Sequence, residues 1–144
     1  MTRLVLLLAI AAPPHELAGP IEIQFLYVHD ADTIYGTVKE WPPFFGEDVG
    51  FRLRGYAAPE LRDPNPEDRK LALDGRDYVM ERITNAMARH KKIEIARVKH
   101  DKFSKRFDCE WWVDGVNLGP ELAKKGFVRP WDGKGTQPFK ENDR

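Results

Sequence analysis

Residues 21–28 (IEIQFLYV) are rich in β-branched and aromatic residues over a short run, which predicts a strand. The turn-forming residues 29–32 interrupt it, and 33–38 resumes as a second strand. Pro42, Pro43 and Gly46 mark 39–48 as the loop that leads into a third strand at 49–53. Alternation there puts Phe51 and Leu53 on one face and Arg52 on the other. After a loop with Pro59, Pro64 and Pro66, Leu71, Tyr78, Val79, Ile83 and Met87 recur near helical spacing and predict a core stripe. Gly75 weakens the middle of that helix by about 1 kcal/mol relative to Ala. Two alternating stretches, 92–98 and 107–113, read as strands, the second with Cys109 and Trp111 inward. Asn117 then caps a short helix carrying Leu118, Leu122 and Ala123, with Gly126 ending it.

The order β-β-β-α-β-β-α predicts an α+β, mostly β fold: a closed, five-stranded antiparallel OB-fold barrel with two or three helices. One domain spans 21–133. Ahead of it, Arg3 precedes nine apolar residues, with small side chains at Ala9 and Ala11 before a cleavage point. Residues 1–11 therefore read as a secretory signal peptide, too short to span a bilayer, with a buried N-terminal strand or helix as the other reading. Residues 12–20, with four Pro and Gly, read as a linker, and 134–144 as a loose tail. The expected mature protein is a secreted or periplasmic monomer with no membrane segment.

Composition narrows the chemistry. The 144 residues are 42% hydrophobic and 32% charged, which suits one globular domain. Lys+Arg and Asp+Glu are both 23, so a grip on nucleic acid through bulk charge is excluded and any phosphate site must be a local cluster. The lone Cys109 excludes an intrachain disulfide and a cysteine-based zinc site.

Three polar clusters fall at strand ends. Asp30 and Asp32, two residues apart, can point into one pocket and hold a hard cation, although Asp-rich turns are common without one. Arg52 and Arg54 are followed by Glu60, close enough to meet across a turn or to form a surface ion pair. Residues 100–106 form a basic turn with one aromatic, Phe103, which is also what a plain solvated turn contains.

Taken together, the stretches VHDADTI (28–34), FRLRGYAAPEL (51–61), DKFSKRF (101–107) and WVDGVNLGPELAKKGFVRPWDG (112–133) resemble the staphylococcal-nuclease-like (thermonuclease) family across 21–133. The resemblance implies an OB-fold and Ca²⁺-dependent hydrolysis of phosphodiester bonds in DNA and RNA. It assigns calcium binding to Asp32, a phosphate contact to Arg52, and a place beside the attacking water to Glu60. A second phosphate-binding cation maps to Lys105 when counted from Asp101 and to Arg106 when counted from Asp114. Arg106 is favoured, because a guanidinium gives a planar two-pronged grip. The chemistry is coherent: cations offset the charge that builds on phosphorus, and a carboxylate positions or deprotonates water.

The chain departs from the family pattern where a second calcium-binding Asp is usual and Ala57 stands instead. The backbone carbonyl of Ala58 needs no side chain and can remain a ligand, and Asp30 is the available substitute carboxylate. Ca²⁺ takes six to eight oxygens, so the expectation is weak calcium dependence, another divalent ion or an impaired enzyme. Ala31 replaces a usual Gly and would be strained if φ is positive. Phe103 replaces a frequent Tyr. Trp131 sits where it can stack on a base or belong to the core. The leading reading is a nuclease. The alternative, motivated by Ala57 and the zero net charge, is a catalytically impaired module that binds nucleic acid or protein.

Overall fold

The computed structural model describes residues 15–103 and 105–140. The expected signal peptide lies outside them. The described residues begin with two short strands, β1 (Glu16–Leu17) and β2 (Ile21–Glu22). A hairpin of β3 (Gln24–Asp30) and β4 (Thr33–Thr37) follows, then the one-turn helix α1 (Pro43–Gly46), β5 (Val49–Leu53) and β6 (Tyr56–Ala57). The long helix α2 (Pro66–Ala88) leads to β7 (Ile93–His100) and β8 (Arg106–Val113). The fold ends with β9 (Val116–Asn117), α3 (Leu118–Lys124) and β10 (Arg129–Pro130).

The fold is α+β, but the sheet is not the closed antiparallel barrel expected. It is a mixed, eight-stranded sheet in the order β1-β7-β8-β5-β4-β3, with β2 on β7 and β9 on β8, and β6 and β10 form a separate pair. The mixture has a definite cause. β5 and β8 run parallel, Phe51 opposite Phe107, and a parallel pair needs a long crossover, here made of α2 and β7.

The described parts of both flanks, 15–20 of the expected linker and 134–140 of the expected loose tail, make packed contacts. From Glu16 the presumed linker joins the sheet, with Leu17 opposite Val98 and the Arg97 N–H donating to the Ala18 carbonyl at 2.9 Å. In the presumed tail, the Phe139 ring is completely buried. Among the described residues no helix is long and apolar enough to cross a membrane.

The core lies between the sheet and the two longer helices. Phe51, Leu53, Ile34, Ile95, Cys109 and Trp111 meet Val79, Ile83, Leu118 and Leu122 there. Each such aliphatic or aromatic side chain contributes roughly 1.5–3 kcal/mol on burial. Asn65 caps α2 by accepting from the Glu67 and Asp68 N–H groups, Pro66 takes the first turn, and Glu67 and Asp68 suit the dipole. Asn117 caps α3 as expected, accepting from the Gly119 N–H.

The buried face of α2 differs from the predicted stripe. It runs Asp68, Ala72, Gly75, Val79, Ile83 and Ala86, while Met87 is exposed. Small residues line this face because the helix lies close against the β3–β4 turn. A methyl on Gly75 would sit 3.0 Å from the Ala31 Cβ and 3.2 Å from the Phe127 Cβ. The intrinsic weakness of Gly75 is thus exchanged for close approach. Ala31, the other half of the contact, is fully buried and is not among the residues with positive φ, so the expected strain is absent. Helix α2 thereby fixes the turn that carries Asp30 and Asp32.

Candidate functional site

One open cleft of about 310 Å³ is lined by Asp30, Asp32, Arg52, Glu60, Arg106 and Lys140, among others. All four residues singled out in the sequence, Asp32, Arg52, Glu60 and Arg106, therefore border the same space. They come from the β3–β4 turn, from β5, from the loop after β6 and from the start of β8.

Sheet register explains the convergence. Thr33, Arg52 and Asp108 form one cross-strand row over β4, β5 and β8, and Tyr35, Gly50 and Arg106 form the next. Side chains two residues apart on a strand share a face, so both arginines project from the same side. Gly50 matters here. A methyl on it would lie 3.2 Å from the Arg106 Cγ and 3.4 Å from the Tyr35 ring, so the missing side chain lets those two lie close. Lys105, the rival candidate, instead lines a separate apolar pocket with Phe44, Phe45, His100 and Phe107.

Asp32 is the hub. Its Oδ2 accepts from the Ala58 N–H at 2.8 Å and from Arg52 Nη2 at 3.4 Å. Its Oδ1 accepts from the Thr33 hydroxyl at 3.0 Å. Arg52 Nη1 donates to the carbonyls of Tyr56 (3.2 Å) and Leu53 (3.4 Å), which holds the guanidinium against the 53–56 turn. Its carbon lies 5.6 Å from the centre of the Trp131 ring. Trp131 in turn is positioned by its backbone N–H, which donates to the Gly55 carbonyl at 2.9 Å, and by its indole N–H, which donates to the Lys134 carbonyl at 2.9 Å. Arg106 is paired with Asp101 through Nε and lies over the Phe103 ring at 4.3 Å. Phe103 thus supports an arginine with its face, a contact that needs no hydroxyl.

Asp30 accepts from the Asp32 N–H at 3.2 Å, and its carboxyl is pushed up to about 8. Burial is the main cause, followed by a hydrogen bond with the Asp32 carboxylate and that group's charge. Near neutral pH the Asp30 carboxyl therefore keeps its proton.

Sequence reading missed two cleft residues in the presumed tail, Gln137 and Lys140. Gln137 Nε2 donates to the Ala58 carbonyl at 2.7 Å, and its Oε1 accepts from the Phe139 N–H at 2.6 Å. Lys140 Nζ lies 3.1 Å from Glu60 Oε1. Neither residue has a periodic context that could have revealed it. Tyr35 was missed too, although its alternation with Thr33 along β4 was a usable signal.

These contacts also test the expected calcium ion. A Ca²⁺ site takes six to eight oxygens. Ala57 supplies no carboxylate, the Ala58 carbonyl is engaged by Gln137, and both Asp32 oxygens accept hydrogen bonds from the protein. Among the described residues no group of three His, Cys, Asp or Glu is placed to hold a metal. The residues present do not fit a calcium ion. Chemically, the cleft offers two guanidiniums and an ammonium around one exposed carboxylate, which suits an anionic ligand such as a phosphodiester. No protein-family model matches this chain, and no curated protein matches its sequence.

Proposed function

We propose that this chain is a nuclease that hydrolyses phosphodiester bonds of DNA or RNA, on an OB-like version of the staphylococcal-nuclease plan. The observation that carries the reading is the cleft shared by Asp32, Arg52, Glu60 and Arg106. The OB-like part rests on the path β3-β4-β5-β8-β7 and on β2, which pairs with β7 and passes through one residue, Ile23, into β3. Export by the apolar N-terminus belongs to the same proposal.

In this mechanism Arg52 and Arg106 bind the non-bridging oxygens and offset the charge that grows toward the five-coordinate transition state. Glu60 orients a water molecule and takes its proton as the water oxygen bonds to phosphorus. The ester P–O bond opposite breaks, and the leaving oxygen is protonated from solvent. Asp32 is a positioning residue, holding Arg52 and the Ala58 N–H in place.

The experiment is cleavage of a labelled single-stranded DNA by the purified protein and by Glu60→Gln. Removing a general base costs about 10²–10⁴-fold, so a loss of at least about a hundredfold is expected. An unchanged rate overturns the assignment. Ala57 favours one second reading, a binding module. Steeply salt-dependent binding without cleavage in any metal ion supports that alternative.

A further inference from the structure

We infer that the C-terminal segment completes this cleft, with Lys140 as a direct phosphate contact in a site that binds its phosphodiester without a resident divalent ion. The inference rests on the phosphodiester reading above and adds to it a third cation and independence from calcium.

The first support is placement. Lys140 reaches the cleft from 88 residues beyond Arg52 in the chain, and its ammonium lies beside Glu60. The second is how firmly its backbone is mounted. The neighbouring Phe139 ring is buried, with the Arg129 guanidinium 4.1 Å from its centre. Gln137 clamps both ways, to the Ala58 carbonyl and from the Phe139 N–H, and its own carbonyl accepts from the Lys140 N–H at 2.9 Å. A lysine needed only for solubility has no use for such a mount.

The third support is availability. Asp32 holds Arg52 and Asp101 holds Arg106, both pairs largely shielded. The Lys140–Glu60 pair is open to water, at 52% and 60% side-chain exposure. Exposed pairs contribute little net stability, so a phosphate displaces this one easily. The ammonium is a compact charge on a flexible stem with three donors, able to follow an oxygen as it moves. Finally, the clamp itself uses the Ala58 carbonyl that a cation would need. The arrangement that brings Lys140 in thus occupies one lone pair of that carbonyl.

The test is binding of the full chain to a fluorescein-labelled, phosphorothioate-linked oligothymidylate of about eight nucleotides, within the 4–16 range usual for such sites. Fluorescence anisotropy is followed against salt, in calcium and in chelator. Affinity is expected to agree within about twofold between the two conditions. Each phosphate neutralised on a single strand contributes about 0.7 to the log–log salt slope. Lys140→Ala should lower the slope by that amount and weaken binding about fivefold to tenfold, Lys140→Arg should restore both, and Lys105→Ala should leave the slope alone. An unchanged slope in Lys140→Ala, or a more than tenfold gain from calcium, overturns the inference. If Arg106→Ala weakens binding while Lys140→Ala does not, only this inference fails. If neither matters, the phosphodiester reading fails with it.

Discussion

Phe139→Ala separates the C-terminal segment from the rest of the molecule. The ring is fully buried yet does not belong to the contiguous core that Phe51, Trp111 and Ile83 share. It is a satellite anchor, and its removal acts on the segment it pins. Burying a phenylalanine contributes up to about 3 kcal/mol, which at 1.36 kcal/mol per decade is roughly a hundredfold in an equilibrium constant. The local opening of 137–140 should become more frequent by that factor. Amide hydrogen exchange reads it directly, because the Phe139 N–H is bonded to Gln137 Oε1 and the Lys140 N–H to the Gln137 carbonyl. Protection at those two amides should fall about a hundredfold, while the β4 and β5 amides should keep theirs. Oligonucleotide binding should weaken as in Lys140→Ala. Equal loss of protection across β5 and β8 would show that Phe139 is core after all. Unchanged protection at Phe139 and Lys140 would show that the ring anchors nothing.

Three other perturbations follow from the site and its supports. Gly50→Ala puts a methyl 3.2 Å from the Arg106 Cγ; it should displace that side chain and weaken oligonucleotide binding about tenfold, or roughly 1.4 kcal/mol, with little change in melting temperature. The Asp30 carboxyl, ordinarily near 3.8, is pushed up to about 8, so between those values the folded state binds more protons than the unfolded one. Stability must then fall as pH rises through that window, and Asp30→Asn should flatten the fall and exceed the parent in urea melts above pH 8. Burial raises the Glu121 carboxyl, but hydrogen bonds from Arg82 and Tyr78 outweigh it and leave it below its usual range. That stabilisation is present above the unfolded value of 4.5 and is lost as pH falls through the folded value. Arg82→Ala should cost about 1 kcal/mol in urea melts at pH 7 and little at acid pH, where a persistent difference would count against the pair.

What was legible in the sequence follows the range of the interactions involved. Strand β5 was readable because alternation of Phe51, Arg52 and Leu53 is local, and α3 because Asn117 and Gly126 are local caps. The polar clusters at strand ends were visible locally, but only the family resemblance picked Asp32, Arg52, Glu60 and Arg106 out of them, and the structure places those four around one cleft. Gly75 was misread as a mere weakness, since its purpose is a contact with Ala31, 44 residues away. The parallel pairing of β5 with β8 leaves no mark on either strand, so the antiparallel barrel was the natural inference and a wrong one. Gln137 and Lys140 were invisible for a related reason. Their neighbourhood depends on one buried ring in a Gly- and Pro-rich stretch without periodicity.

The parallel join between β5 and β8 bears on when the cleft forms. Arg52 and Arg106 stand 54 positions apart and meet only through that join. Closing a loop of this length costs about 3.5 kcal/mol of chain entropy by the logarithmic rule alone, before any side chain packs. Contacts of such separation tend to form late and slowly. A nascent chain that has completed its β3–β4 hairpin and α2, but has not docked β8, holds its guanidiniums far apart and has no cleft. Formation of the cleft is therefore tied to the docking of β8 against β5, however much of the hairpin and α2 has formed before it.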